Sequence, residues 1–344
     1  MPRPFKFFDF CAGIGAGRLA LDRLGGRCVG FSEIDRKAEL TYRLFYGEGE
    51  RNFGDLMKIE PETLPDFDFL IAGFPCQSFS IVGKRAGLRD TRGRIILGLA
   101  RILRAKRVPY FLLENVKGLV NHNQGRTLRR ITQLLDEVGY SVSWRVLNSK
   151  DYGVPQNRER VYLVGYRRDL IDQGFEFAWP ESQSPASLRK YLVSNDHTYF
   201  FADPQRFGTF RRYLQNKYNQ NRHSVDDLLT EEQLVIDTRQ SDLRLYRGEV
   251  PTLRTGRHGI LYVRNRKLRE LTGEEALLLQ GFPKPLASKA QRMLPNTALL
   301  SQAGNAMTVN SIQNIGEAML RPQPSRRPFR LAKFAARDQA ALSV

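Results

Sequence analysis

Phe5-Lys6-Phe7-Phe8-Asp9-Phe10-Cys11-Ala12-Gly13-Ile14-Gly15-Ala16-Gly17 decides the fold. Phe5–Phe10 is dense in phenylalanine and reads as a short buried strand. Beyond Gly17, the apolar positions Leu19, Ala20, Leu21 and Leu24 follow a helical pattern that Gly25-Gly26 closes. Strand, glycine-rich turn and helix together can cradle a nucleotide or a related cofactor. Small residues let the ligand approach the backbone, and a helix N-terminus favours a negative group. The dinucleotide fingerprint G-x-G-x-x-G is not met, because Arg18 stands where the third glycine belongs. A tight turn without a ligand is the competing reading at this point.

The alternation continues outward from that unit. Val29–Asp35 reads as a second strand ending in acids, with Glu33 placed to accept from a ribose and Asp35 placed to cap a helix over Arg36–Tyr46. Asn52–Leu56 reads as a third short segment, with Asp55 near its end. Phe67–Ala72, Tyr110–Val116, Ser141–Leu147 and Arg160–Tyr166 complete the strands, and Ile95–Arg104 and Leu128–Val138 are helical. Strands alternating with helices predict an α/β fold with a doubly wound, mostly parallel sheet.

Charge narrows the partner. The 344 residues carry 54 Lys+Arg against 36 Asp+Glu, a formal net charge of +18. Such an excess points to a polyanion, most simply nucleic acid, and less to a membrane surface. No apolar run reaches the ~18 residues of a transmembrane helix, and Met1–Lys6 lacks the core of a signal peptide. Three cysteines (Cys11, Cys28 and Cys76) and four scattered histidines lack metal-ligand spacing. They suit a reducing interior without a disulfide framework or a zinc site.

One thiol is placed differently from the others. The strand at Phe67–Ala72 stops at Gly73 and delivers Pro75-Cys76-Gln77 into a turn, at the end of a sheet strand where α/β proteins place chemistry. A small buried hydrophobe is the bland reading of Cys76. Residues 84–107 then carry nine Lys/Arg against Asp90 alone, interrupted by Gly87 and Gly93. Most charge runs are solvated faces. Directly after a thiol, this one reads better as a phosphate-gripping lid.

Past about residue 173 the pattern changes. Pro180, Ser182, Ser184, Pro185 and Ser187 mark a linker, and residues 190–265 are rich in Arg, Tyr and Asn. That is the composition of a nucleic-acid surface, with cations for phosphates and amides for base edges. Arg269–Gln280 is helical, with a capping box at Thr272 and Glu275. Val309–Leu320 is a last helix. The basic tail 321–344 is expected to be poorly ordered.

These parts fit one reaction. Carbon 5 of cytosine is a poor nucleophile, but a thiolate added to carbon 6 makes it enamine-like and able to attack an electrophilic methyl. The addition needs a proton or hydrogen bond at ring nitrogen 3 and donors at the carbon-2 oxygen. Cys76, Glu114 and the pair Arg158/Arg160 supply that set, and a nearby arginine lowers a thiol pKa. The base must leave the duplex to reach them.

With those residues in view, the chain resembles the DNA (cytosine-5) methyltransferase family of bacterial restriction–modification systems. The resemblance rests on Asp9–Gly15, Gly73–Ser80, Glu114-Asn115-Val116, Tyr152–Arg160, Arg269–Pro283 and Gln302-x-Gly304-Asn305, in that order. It implies a class I, Rossmann-like methyltransferase fold with S-adenosyl-L-methionine as methyl donor. Residues 1–180 and 295–320 would form the catalytic domain, and 181–294 a smaller target-recognition domain. Cys76 would be the nucleophile and Glu114 the partner of ring nitrogen 3. Arg160 would contact the base oxygen, while Arg158 orders the site.

The implied cofactor residues are Asp9, Phe10, Cys11, Ala12, Gly13, Ile14 and Gly15, then Glu33 at the ribose, Ile34 on the adenine and Asp55 at the adenine amino group. Leu56, Pro75, Asn305 and Ala306 complete the pocket. The implied DNA-facing residues are Gln77, Ser80, Val82, Lys84, Arg85 and Arg92, with Gln156, Thr252 and Arg254 beyond the loop. The resemblance also implies double-stranded DNA as partner, a bacterial cytoplasmic location and, as a further partner, a restriction endonuclease for the same site; a monomer suits one target strand at a time, and the lack of a long apolar run predicts no membrane association. The chain departs from the family pattern in three places. Cys11 replaces a phenylalanine on the adenine, Ala306-Met307 replaces Ser-Val, and Val82 replaces a polar residue. A tRNA cytosine-5 methyltransferase and a non-catalytic DNA-binding relative are the alternatives. The long Arg/Tyr/Asn insert argues against the first, and the presence of Cys76, Glu114 and Arg160 against the second.

Overall fold

The computed structural model describes residues 4–74, 95–172, 175–184, 186–193, 204–220, 222–256 and 258–321. Pro75, Cys76, Gln77, Ser80, Val82, Lys84, Arg85 and Arg92 lie outside these residues, as does the tail from 322.

The chain runs β1 (Phe5–Phe10), α1 (Ala16–Arg23), β2 (Gly26–Ser32), α2 (Arg36–Tyr46), β3 (Phe69–Gly73), α3 (Ile95–Lys106) and β4 (Tyr110–Val116). It continues through α4 (Gly118–Asn121), α5 (Arg126–Glu137), β5 (Tyr140–Asn148), β6 (Gln156–Asn157) and β7 (Glu159–Arg167). Among the described residues the remainder comprises α6 (Pro204–Leu214), α7 (Val225–Leu229), β8 (Val235–Asp237), β9 (Arg244–Tyr246), β10 (Val250–Pro251), β11 (Ile260–Arg264) and β12 (Lys267–Glu270). Four helices close it: α8 (Gly273–Leu279), α9 (Lys284–Met293), α10 (Asn296–Asn305) and α11 (Val309–Leu320).

Six strands form the main sheet in the order β2-β1-β3-β4-β7-β5. β1, β2, β3 and β4 pair in parallel, and β7 is antiparallel to both β4 and β5. The near-continuous apolar character of these strands has a structural cause: both faces are covered. Phe7, Phe69, Ile71 and Leu112 point to the face packed by α1, α8 and α11. Phe8, Phe10, Leu70 and Leu113 point to the face packed by α3 and α5. Strand order reverses at β1, so a crevice opens at the carboxyl ends of β1 and β3, where open α/β sheets bind ligands. The expected α/β fold, doubly wound and mostly parallel, is therefore present.

A second sheet, β12-β11-β8-β9, packs with α6 and α7 around its own cluster of Phe210, Leu214, Ile236, Leu261 and Val263. Helices α8 and α9 instead share the core of the main sheet through Ala276, Leu277, Ala287 and Ala290.

Some expectations need correction. Asn52–Leu56 is not a strand: Asn52 makes one isolated bridge to Phe31, and Leu56–Lys58 is a short 3-10 turn. The helix expected over Arg269–Gln280 begins only at Gly273, because Arg269 and Glu270 are taken into β12 opposite Tyr262 and Leu261. Its capping box at Thr272 and Glu275 is as expected. The basic run 84–107 is not a lid throughout. From Ile95 it is α3, where Arg101 donates to the Ile59 carbonyl (2.7 Å) and Lys106 to that of Leu64 (3.0 Å). Those cations brace the protein.

Candidate active site

The turn after β1 is shaped by left-handed backbone at Cys11 (φ 51°), Gly13 (φ 56°) and Gly15 (φ 82°). Gly15 has no substitute: a Cβ there would lie 2.4 Å from the Tyr46 ring. The Tyr46 hydroxyl donates to the Gly15 carbonyl at 2.6 Å, which holds the turn against α2. Asp9, at the end of β1, is fully buried and accepts from the Arg18 amide at 3.0 Å. Burial holds its carboxyl well above the usual range, against the lowering effects of that amide and of the Arg18 charge. Burial, and then the acids Glu33, Asp9 and Asp55, push the Cys11 thiol up to about 12.

Glu33 stands at the end of β2, facing the turn. Its Oε2 accepts from the Gly13 amide (2.7 Å), and its Oε1 from the amides of Ile34 and Asp35 (both 2.8 Å). A carboxylate offers about four acceptor positions, so about one remains for a ligand hydroxyl. Asn52 grips the Glu33 backbone through its own amide, which fixes the acid in place. Ile34 is 74% exposed, an apolar side chain projecting at the rim. Asp35 caps α2, accepting from the Lys37 amide at 2.8 Å. Asp55 caps the 3-10 turn through the Met57 amide at 2.9 Å.

Behind them lies a cleft of about 940 Å³. It is lined by Cys11, Gly13, Ile14, Glu33, Ile34, Asp55 and Leu56 from one side, and by Glu114, Arg158 and Arg160 from the β4–β7 end. Asn305 and Ala306 line it from the end of α10. The register of β4 against β7 explains the second group. Val116 lies opposite Arg160 and Glu114 opposite Tyr162, so the ends of these antiparallel strands deliver acid and base to one place. Glu114 Oε1 is 3.1 Å from Arg160 Nε, and each side chain is about nine-tenths buried. Phe74, the residue before Pro75-Cys76, also lines the cleft. It is held there by Asn115, whose side-chain amide donates to the Phe74 carbonyl at 2.9 Å.

Arg158 is 2% exposed. Its guanidinium donates to the carbonyls of Leu253 (3.1 Å), Gly304 (3.3 Å) and Ala306 (2.8 Å). Burial, and then the charge of Arg160, lower its pKa to about 9. It thereby ties its own segment to residue 253 and to the end of α10.

Several expected contacts are placed elsewhere. Gln156 is not at a DNA-facing surface: it is fully buried, its amide donating to the Leu279 carbonyl (2.9 Å) while its oxygen accepts from the Leu253 amide (3.2 Å). The Phe10 ring is in the core, stacked on Phe8 at 4.3 Å, and the Ala12 methyl is buried with Phe31 and Tyr42, so neither side chain faces the cleft. The Thr252 hydroxyl donates to the Asn157 carbonyl at 2.6 Å, whereas Arg254 is exposed. The sequence reading assigned no role to Asn52, Asn115 or Gln302. Gln302 ties α10 to α2, donating to the Lys37 carbonyl and accepting from the Thr41 hydroxyl, each at 3.0 Å. Its place in the Gln302-x-Gly304-Asn305 motif was the available signal.

Residues 5–321 match the family model of the C-5 cytosine-specific DNA methylases. The chain is similar to the Type II methyltransferase M.NlaX of Neisseria lactamica, at 37% identity over 92% of this chain and 96% of that protein. It is similar to M.HhaI of Haemophilus parahaemolyticus at 33%, over 91% and 95%. In fold it is similar to a mutant of Spodoptera frugiperda DNMT2 (TM-score 0.65, 21% identity, 92% of this chain and 99% of that one). It is also similar to the Entamoeba histolytica methyltransferase EhMeth (TM-score 0.67, 18% identity, 92% and 98%). With residues 5–321 matched by that family model and relatives above 30% identity covering most of both chains, the chain belongs to the C-5 cytosine-specific DNA methylases.

Proposed function

We propose that this enzyme methylates carbon 5 of a flipped-out cytosine in duplex DNA, using S-adenosyl-L-methionine and a covalent Cys76 adduct, as the modifying half of a restriction–modification system. The observation that carries the reading is that Glu114 and Arg160 share one cleft with Glu33, Ile34 and the Gly13 turn. Cys76 lies outside the described residues and enters through the sequence alone.

The cleft fits the cofactor by the chemistry of its lining. Glu33 keeps an acceptor position for a ribose hydroxyl, Ile34 offers an apolar face to an adenine, and Asp55 is an acceptor for its amino group. When bound, S-adenosyl-L-methionine supplies a methyl group activated on a sulfonium. The Cys76 sulfur forms a bond to carbon 6 of the base, and the ring electrons move toward carbon 5. Glu114 holds a proton at ring nitrogen 3, which neutralises the charge that this addition develops. Arg160 keeps Glu114 aimed and donates toward the carbon-2 oxygen. Elimination of the Cys76 sulfur follows loss of the carbon-5 proton and restores the aromatic ring.

For the two parts of the chain, we assign sequence reading to the β12-β11-β8-β9 sheet with α6 and α7, which pack around a separate cluster on one face of that sheet, while Val235, Ile260 and Tyr262 on the other face join the main core. We place α8 and α9 with the catalytic sheet whose core they share. The test is a duplex carrying 5-fluorocytosine in the recognised site, after methylated cytosines have been mapped in DNA from cells expressing the protein. With cofactor, the wild type should give a crosslinked species stable to denaturation. An identical crosslink from Cys76→Ser would overturn the assignment.

A further inference from the structure

Asp237 and Arg239 form a buried ion pair at the end of β8, each side chain 6% exposed. Arg239 grips the carboxylate at both oxygens, Nε to Oδ1 at 2.7 Å and the second terminal nitrogen to Oδ2 at 2.8 Å. Its remaining terminal nitrogen donates to the Thr252 carbonyl at 2.8 Å. A buried ion pair adds little net stability compared with apolar side chains of the same volume. Its geometry, however, is rigid: a guanidinium fork held at two points fixes where its third donor sits.

That donor meets the chain at a sensitive place. Residues 250–251 run parallel to 156–157 as β10 and β6, and 252–253 continue along the same path. They are bonded along their length: the Val250 amide to the Pro155 carbonyl, the Thr252 hydroxyl to the Asn157 carbonyl, and Arg158 to the Leu253 carbonyl. Asn157 and Arg158 lead directly to Arg160. Two residues past Leu253, Thr255 lines the cleft. The pair therefore joins the four-stranded sheet to the segment that carries the arginines of the site.

We infer that Arg239, oriented by Asp237, is a positioning residue for the methyl-transfer step. It sets the Thr252–Thr255 segment, and with it Arg158 and Arg160, according to how the four-stranded sheet is seated on DNA. The inference rests on the function proposed above. Arg239 acts through the protein in this role: Nε and both terminal nitrogens each donate to a protein oxygen.

The experiment uses the full chain with Arg239→Lys and Asp237→Asn. It measures single-turnover methylation of the recognised duplex and of a duplex with one recognised base pair changed, together with binding of S-adenosyl-L-homocysteine and of DNA. The expected result is a single-turnover rate lowered by up to about 10²-fold, a smaller ratio between the correct and altered duplexes, and unchanged affinity for both ligands. A rate equal to wild type would overturn the inference. So would a loss of rate matched by an equal loss of ligand affinity, the sign of a general packing defect. A wild type that forms no methylcytosine would refute the function proposed above, and this inference would fall with it.

Discussion

Glu114 and Arg160 meet at 3.1 Å, Oε1 to Nε, although 46 positions of chain (160 − 114) separate them. The contact does not have the alignment of a hydrogen bond, and Oε1 is buried with its acceptor positions unused. Replacing Glu114 with Gln keeps shape and removes the proton that an acid can hold. Methylation by Glu114→Gln should fall by about 10²–10⁴-fold, the range for a positioned acid, while binding of S-adenosyl-L-homocysteine by calorimetry stays unchanged. Retained activity would remove Glu114 from the chemistry.

Gln156 distinguishes a buried brace from a DNA contact. Gln156→Ala leaves the Leu279 carbonyl and the Leu253 amide without the partners they now have. Each buried group left unsatisfied costs about 1–3 kcal/mol, so the melting temperature should drop clearly. DNA affinity should still fall steeply with salt, as expected for a chain of net charge +18, and the salt slope of the variant should equal that of wild type. A shallower slope with unchanged melting temperature would return Gln156 to the DNA surface.

Gly304 is required by proximity alone. A Cβ there would lie 2.4 Å from the Thr255 amide nitrogen and 2.5 Å from the Arg254 carbonyl carbon, both backbone atoms. Gly304→Ala must push residues 254–255 away from the end of α10, at about 1–3 kcal/mol of overpacking. Arg158 would then lose part of its grip on Leu253 and Gly304. We expect methylation to decline more than the melting temperature alone accounts for, measured at a temperature where the variant is fully folded.

Asp9 gives a pH signature. Burial raises its folded pKa above the unfolded value near 3.8. Its contribution to stability is therefore fully present below that pH and is lost as pH rises through the folded value. Asp9→Asn removes this dependence while keeping an oxygen for the Arg18 amide. The difference in melting temperature, variant minus wild type, should grow in favour of the variant between pH 4 and pH 8. A difference that is flat with pH would mean that Asp9 is charged in the fold.

The amino-acid sequence by itself determined most of the elements and the family. The apolar runs at Phe5–Phe10, Tyr110–Val116 and Val161–Tyr166 mark strands buried on both faces, and such runs need no tertiary information to be read. Arg36–Tyr46 and Val309–Leu320 end where expected because their signals are local, such as the Asp35 cap. Glu114, Arg158 and Arg160 are legible because acid and bases follow strand patterns that must converge in one sheet.

Tertiary structure decided which polar groups are spent on the protein itself. Gln156 and Arg158 lie two positions apart and look equally available in sequence. Both prove to be buried ties, one to Leu279 and Leu253, the other to three carbonyls around the cleft. Segment 52–56 has a strand-like composition, but among the described residues it makes one bridge to β2, and the Asp55 cap starts a 3-10 turn at Leu56 instead. Arg101 and Lys106 lie in a basic run, yet each finds a carbonyl of residues 59–64. Hydrogen bonds to backbone carbonyls carry no sequence signature, because every residue offers the same acceptor. Only the folded chain shows which carbonyl is near.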